Sequence, residues 1–262
     1  MQMNSQVFVS DIRTAVNTSN HIKHCDQDFP EFVHKWSGRT RRYNINDISL
    51  PPSLYVRGKE IDFSLPVIAV GGTRSPTVET FCLVSDLITS LSSYGIAVIS
   101  GGVPGVDLAA HMASIDNDLC SYAILANPVE NGLSGHEWSN SIVDRNLTLH
   151  GGYISEYATL APLFSDQHKE RLLDRGRIIS GLCDVFLVFE CNVNSATVDS
   201  ANRAYLQGKK VICVDSSKKS LRNGISQIHR SHISPVYSAE SMTVQDISAE
   251  IYELALSSLS SI

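Results

Sequence analysis

Short apolar runs recur along the chain at regular intervals: Val67-Ile68-Ala69-Val70, Ile96-Ala97-Val98-Ile99, Tyr122-Ala123-Ile124-Leu125-Ala126, Gly152-Tyr153-Ile154-Ser155, Val185-Phe186-Leu187-Val188-Phe189 and Val211-Ile212-Cys213-Val214. Within each run apolar residues follow one another without alternating with polar ones. A strand of that kind has both faces covered, as in a parallel sheet flanked by helices. The segments between the runs have helical length. Val78, Phe81, Val84, Leu87, Ile88 and Leu91 follow the helical period, and Gly95 ends that helix. Further helices are predicted over 105–116, 139–149, 167–182 and 195–207, the last closed by Gly208. The tail 243–257 sets Val244, Ile247, Ile251 and Leu254 on one face, so it is expected to pack on the domain. Six strand–helix alternations predict an α/β fold: an open, doubly wound, mostly parallel Rossmann-like sheet with helices on both faces. Residues 1–50 are polar and weakly periodic, and Pro51-Pro52 closes them off. They are expected to be an N-terminal extension, partly helical or irregular, ahead of one domain over 51–262.

Composition narrows the class. The chain has 262 residues, 43% hydrophobic and 18% charged, which is a folded rather than a disordered profile. No apolar stretch is long enough to span a bilayer. The start, MQMNSQVFVSDIR, lacks the basic-then-apolar pattern of a secretory leader. A cytoplasmic protein without membrane partners is expected. Cys25, Cys82, Cys120, Cys183, Cys191 and Cys213 form no C-x-x-C pair and mostly lie in or beside apolar runs, so buried free thiols in a reducing compartment are expected. The nine histidines have no metal-binding spacing, so neither metal nor cofactor is expected.

A net charge of −6 excludes nucleic-acid binding by bulk charge; a polyanion would need a local pocket. Basic residues cluster at Arg39, Arg41 and Arg42, at Lys169, Arg171, Arg175 and Arg177, and at Lys218, Lys219 and Arg222. Taken singly, each reads as a solvated surface run.

In an open parallel sheet, ligands bind beyond the carboxyl ends of the strands. The loop after the first run is Gly71-Gly72-Thr73-Arg74-Ser75-Pro76-Thr77. Ser75 reads as an N-cap with Pro76 at the first helical position. The glycines admit close backbone approach, the helix start offers free N–H groups, and Arg74 is a forked cation suited to phosphate. The second loop, Ser100 to Asp107, holds Gly101, Gly102 and Gly105. Asp107 is expected to bind backbone N–H groups and organise the loop, with ribose binding or base catalysis as other roles. His111 stands four residues on, where a structural contact with Asp107 is expected. Glu156 follows the fourth run. Arg175 and Arg177 do not share a helix face, so one reaches the ligand while the other braces the fold. Asn194, Ser195 and Thr197 open the next helix and read either as an anion site or as plain capping.

Together these loops resemble the DprA/Smf family of DNA-processing proteins, within a wider Rossmann-like superfamily that includes the LOG proteins. Pro51 to Gly58 is similar to the family's PPxxLyxrG lead-in, and Val70 to Arg74 stands where the family has VGsR. SGGVPGVDLAAH, Ser100 to His111, matches SGxAxGiDxxAH. Ile154 to Tyr157 matches lSEyP, and Arg175 to Leu182 matches RNRiIaGLs. Ser195 to Gly208 resembles the Thr/Ala-rich motif, and Asn223 to Glu240 resembles the family's ending. The likeness covers roughly 50 to 255. Gly176 stands where the family has Asn, Ala158 replaces the proline after SEy, Asp215-Ser216 replaces PG, and Asn194-Ser195 replaces SG. A minimal member without a winged-helix domain is expected.

The resemblance implies a non-enzymatic protein that binds single-stranded DNA and hands it to a RecA-type recombinase, as in natural transformation, and that commonly forms a homodimer. It also implies that Thr73, Arg74 and Ser75 hold DNA phosphates, with Gly101, Gly102 and Arg175 or Arg177 beside them. Stacking aromatics are not obvious: Tyr157, Phe164 and Tyr122 are the candidates, with core packing the expected role of Tyr122. Two other readings use the same loops. One is a nucleotide-sensing module of a defence system. The other is a LOG-type nucleotide N-glycosidase using Glu156, Glu190 or Asp107, although the motif PGGxGTxxE is absent.

Overall fold

The computed structural model describes residues 51–259, apart from 52–53, 60, 134–140, 160, 162–164, 217–222 and 233. The expected N-terminal extension over 1–50, with Arg39, Arg41, Arg42 and Cys25, lies outside the described residues. So do Phe164, Lys218, Lys219 and Arg222.

Eight strands form one sheet: β1 (Tyr55–Gly58), β2 (Val67–Gly71), β3 (Ala97–Ser100), β4 (Cys120–Leu125), β5 (Gly152–Ser155), β6 (Val185–Val188), β7 (Lys210–Asp215) and β8 (Val236–Ser238). Their order is β1-β5-β4-β3-β2-β6-β7-β8. Every pairing is parallel except β1 with β5, which is antiparallel. The six continuous apolar runs are the six inner strands, and β2, β3, β5 and β6 are buried along their whole length. The edge strands β1 and β8 went unpredicted because they are half exposed and carry mixed polarity. Arg57 seats β1 by donating to the carbonyls of Val129 and Glu130.

The helices are α1 (Val78–Ser92), α2 (Val106–Asp116), α3 (Ser141–His150), α4 (Asp166–Leu182), α5 (Ala196–Leu206), α6 (Gly224–His232) and α7 (Val244–Leu259). Alternate residues of β2 enter different cores: Val67 and Ala69 pack with α4, α5 and α6, while Ile68 and Val70 pack with α1, α2 and α7. This is the doubly wound architecture. The α6 segment, rich in Ser, Gln and His, has only Ile225 and Ile228 as apolar residues and was not predicted as a helix.

Three local expectations are corrected. The α1 cap is Thr77, whose side chain accepts from the Thr80 N–H. Ser75-Pro76 stays outside the helix, and Thr77 is held in the capping position by Glu190 as well. Val78 lies fully outside the buried face and Phe81 at its margin, because Thr80, Leu83, Leu87 and Leu91 centre that face a half-turn from Val78. Cys82 is exposed, although Cys183, Cys191 and Cys213 are buried free thiols. The tail helix packs as expected through Ile247, Ile251 and Ala255, with Tyr252 stacked on Tyr94 at 4.5 Å.

The chain leaves β2 towards β3, β4 and β5, then returns to place β6 on the other side of β2. Asp184 locks that return: its carboxylate accepts from Val67 N–H, and its own N–H donates to the Val67 carbonyl. The winding reverses between β2 and β6. In an open sheet, the crevice at the carboxyl ends of two such strands is where ligands bind.

Candidate functional site

Three loops meet at that crevice. The Gly71-Gly72-Thr73-Arg74-Ser75 loop is tied to the β6 loop, since Thr73 N–H donates to the Glu190 carbonyl at 2.7 Å. The Glu190 carboxylate accepts from both the N–H and the hydroxyl of Thr77. Thr197 Oγ1 donates to the Gly72 carbonyl at 3.1 Å. Ser195 caps α5 by accepting from Val198 N–H, and Asn194 exchanges two hydrogen bonds with Gln227. Ser75 N–H donates to Thr73 Oγ1, and Arg74 stands exposed at the loop tip.

The second Gly-rich loop packs against the first. Gly105 has φ 91°, and a Cβ there would lie 2.3 Å from the Thr73 carbonyl oxygen. Val106 N–H donates to that same oxygen. At Gly101 a Cβ would meet the Arg175 guanidinium and the Asp107 carboxylate. Gly102 is buried beside Ala123 and Leu133. Glycines clustered in such a loop imply a tight turn and a close approach. At Gly105 that space is filled by the first loop's backbone, and at Gly101 by the side chains of Arg175 and Asp107.

Asp107 accepts from Gly101 N–H at 3.1 Å and also binds Ser100 and Val103 N–H, so it organises the loop. The expected Asp107–His111 contact is replaced by separate partners. His111 Nδ1 pairs with Ser121 Oγ at 2.8 Å, because its ring points at β4 rather than along α2. Arg175 is buried and donates to the carbonyls of Gly101 and Ile124. It therefore pins the second loop to the sheet while staying close enough to Arg74 for the two charges to repel. Arg177 is the brace of the pair. It grips Glu156 through two parallel bonds of 2.7 and 2.5 Å and also donates to the Asp174 carbonyl. Of the two arginines expected beside the phosphates, Arg177 is thus the one already matched by a buried carboxylate. Tyr122 is fully buried core. Tyr157 lies beneath the Arg171 guanidinium, 4.2 Å from the ring centre.

Burial pushes Asp107 up to about 6, against the pull of Arg175 and its hydrogen bonds. Burial, then Arg175, pushes His111 down to about 4. The folded Asp107 holds its proton more tightly than the unfolded chain, so it makes stability fall as pH rises from about 4 to about 6. His111 stays neutral in the fold but charges in the unfolded chain, so it makes stability fall as pH drops from about 6.5 to about 4. The two slopes oppose. In Asp107→Asn the His111 slope stands alone. The unfolding free energy of that variant, from urea titrations, should therefore fall more steeply with acid than that of the wild type, by up to about 1.4 kcal/mol per pH unit. Equal acid sensitivity in both proteins would contradict this pairing.

The chain matches the family model described as DNA recombination-mediator protein A over residues 20–247. It belongs to that family. A DprA-type DNA processing protein of Mycobacterium tuberculosis is 30% identical over 147 residues, which is 56% of this chain and 36% of that protein. The DNA processing protein DprA of Streptococcus pneumoniae is 27% identical over 168 residues, 64% of this chain and 56% of that protein. The chain thus spans about a third to a little over half of these relatives. Among solved structures, S. pneumoniae DprA superposes with a TM-score of 0.62 at 24% identity, covering 82% of this chain and 73% of that one. Helicobacter pylori DprA, whose structure was described for its single-stranded DNA binding mode, gives 0.63 at 21% identity, covering 82% and 94%. Both share the fold.

Four further residues belong to the crevice: Thr77, Arg171 and Glu190 were named from the sequence within the first loop, a basic cluster and the candidate carboxylates, and His168 was not. Thr77 and Glu190 join the loops of β2 and β6. His168 and Arg171 share a face of α4 with Arg175, at i, i+3 and i+7. That spacing is the signal that could have found His168, since it sets the ring on the stripe of Arg171 and Arg175. No helix among the described residues is long and apolar enough to cross a membrane, and no group of His, Cys, Asp or Glu among them is placed to hold a metal.

Proposed function

We propose that this chain binds single-stranded DNA at the crevice beyond β2, β3 and β6. In this reading it is a cytoplasmic, homodimeric mediator that protects the strand and loads a RecA-type recombinase during recombination, natural transformation included. The observation that carries the reading is the position of Arg74. It stands exposed on a Gly-rich loop, close enough to the buried His168 and Arg175 for both to feel its charge, with buried Arg171 on the same helix face. On a body of net charge −6, this is a local positive pocket able to grip a few phosphates. Thr73, Ser75, Asn194, Ser195 and Thr197 supply hydroxyl, amide and backbone groups at its rim. Backbone of Gly71, Gly72, Gly101, Gly102 and Gly105 forms its floor.

The carboxylates that a glycosidase would need are engaged by the protein itself: Glu156 by Arg177, Glu190 by Thr77, and Asp107 by its own loop. This favours binding over catalysis.

The test is fluorescence anisotropy of a labelled poly-dT oligonucleotide across a salt series, with the wild type and Arg74→Ala. Loss of a charge-assisted phosphate contact should weaken binding about 10-fold or more. The log–log salt slope should fall by about 0.7 per phosphate released. Since Arg74 is exposed, thermal stability should stay within about 0.5 kcal/mol. Absence of wild-type binding at low salt, or an unchanged slope in the variant, would overturn the proposal. Tight binding of a mononucleotide without the oligomer would point to the sensor reading instead.

A further inference from the structure

Helix α4 presents His168, Arg171 and Arg175 on one stripe, and all three are buried. The two arginines have partners. Arg171 donates to the Thr159 carbonyl and covers Tyr157, while Arg175 donates to the Gly101 and Ile124 carbonyls. His168 differs. Its backbone N–H donates to the capping Ser165 hydroxyl, but the ring Nδ1 is buried and has no hydrogen-bond partner among the described residues. The side chain is only 6% exposed. A buried polar atom left unpaired costs free energy and calls for an explanation. Here it sits at the N-terminal turn of a 17-residue helix, close enough to Arg74, Arg171 and Arg175 to feel all three charges. A site of that composition is completed by an anion.

We propose that His168 is the proton-accepting arm of this pocket: one phosphate of a bound strand settles against the ring, Nδ1 takes one proton from solvent, and the imidazolium joins Arg74, Arg171 and Arg175 around the anion. The inference rests on the reading of the crevice as a site for single-stranded DNA phosphates. The phosphodiester keeps its single negative charge, and no other bond changes.

The sign follows from the surroundings. In the free protein, burial and then Arg175, Arg74 and Arg171 hold the imidazole below its ordinary value, so it is neutral near pH 7. A phosphate in contact favours the charged ring. Binding therefore takes up a proton and weakens as pH rises. The facing groups come from several elements. Arg171 and Arg175 lie on α4 itself, with Lys169 and Glu170 exposed beside them. Arg74 comes from the β2–α1 loop. Tyr157 and the Arg177-bound Glu156 follow β5. Asp107, acting on Arg175 from the β3–α2 segment, is held up at about 6 and would take a proton with the same sign. His111, at about 4, stays neutral throughout.

The test is anisotropy of labelled poly-dT from pH 5.5 to 8.5 at fixed ionic strength, with the wild type, His168→Asn and Asp107→Asn. It is joined by an NMR titration of the wild-type His168 ring with and without inorganic phosphate. Wild-type affinity should fall by up to about 10-fold per pH unit within the titrating range. His168→Asn should bind more weakly in acid and lose most of the slope, whereas Asp107→Asn should keep the histidine part. Phosphate should raise the pH at which the ring titrates. The same slope in His168→Asn as in the wild type, or a ring titration unmoved by phosphate, would overturn the inference. If the wild type binds no poly-dT at any pH, the single-stranded DNA reading fails, and the phosphate titration still decides the role of His168 without needing any variant to fold.

Discussion

Arg177→Met is expected to cost about 3–5 kcal/mol of folding stability, because it leaves the Glu156 carboxylate buried without its counter-charge. Both side chains of the pair are 6% exposed, and the contact is bidentate. The large term is therefore the orphaned charge, not the strength of the pair. The double variant Glu156→Gln with Arg177→Met should recover part of the loss, since no unpaired carboxylate then remains. Urea denaturation of both singles and the double gives the coupling directly. A single-variant loss below about 1 kcal/mol, the scale of a solvent-screened pair, would show that the pair is not sealed from water. The pair joins the end of β5 to α4, the helix that carries His168, Arg171 and Arg175. Oligonucleotide binding should thus weaken in Arg177→Met even where the protein remains folded.

Gly105→Ala should be at least as damaging, and to function first. The residue sits at φ 91°, ψ −128° as the cap of α2, a region in which a side chain costs about 1–3 kcal/mol in backbone strain alone. The added Cβ would also lie 2.3 Å from the Thr73 carbonyl oxygen and 2.7 Å from Arg74 Cα. Neither contact is with a flexible side-chain end, so the two Gly-rich loops must separate. That movement breaks the Val106 N–H bond to Thr73 and carries Arg74 away from Arg175. Poly-dT affinity should drop more than about 10-fold, the value of one lost charge-assisted contact, together with a lowered melting temperature. Wild-type affinity and stability in this variant would mean that the loops do not depend on each other.

The inner strands were legible because a strand buried on both faces must be apolar throughout, and Val67–Val70 or Val185–Val188 satisfy that without reference to anything else. The helices α1, α4 and α7 were legible from their period. The edge strand Tyr55–Gly58 was not, because half its residues face solvent and its pairing with Gly152–Ser155 depends on a partner about a hundred residues away in sequence. The site divides in the same way. The Gly-rich loops and Arg74 announce themselves, since glycine clusters and a forked cation after an apolar run have few other uses. That Arg175 and Arg177 would face different surroundings was anticipated from their spacing; that Arg177 would meet Glu156 and Arg175 the carbonyls of Gly101 and Ile124 was not.

Local pattern by itself determined the α/β class, the doubly wound sheet and the loops at its carboxyl edge, because burial on two faces and helical period are written within ten or so residues. The tertiary structure alone decided that Glu156 would match Arg177, that His111 would turn to Ser121 rather than Asp107, and that His168 would be left with an unpaired nitrogen among three arginines. Those outcomes depend on which side chains meet across β3, β4, β5 and α4, and the free energy of a buried charge or polar atom is set by the partner it meets rather than by its neighbours in sequence.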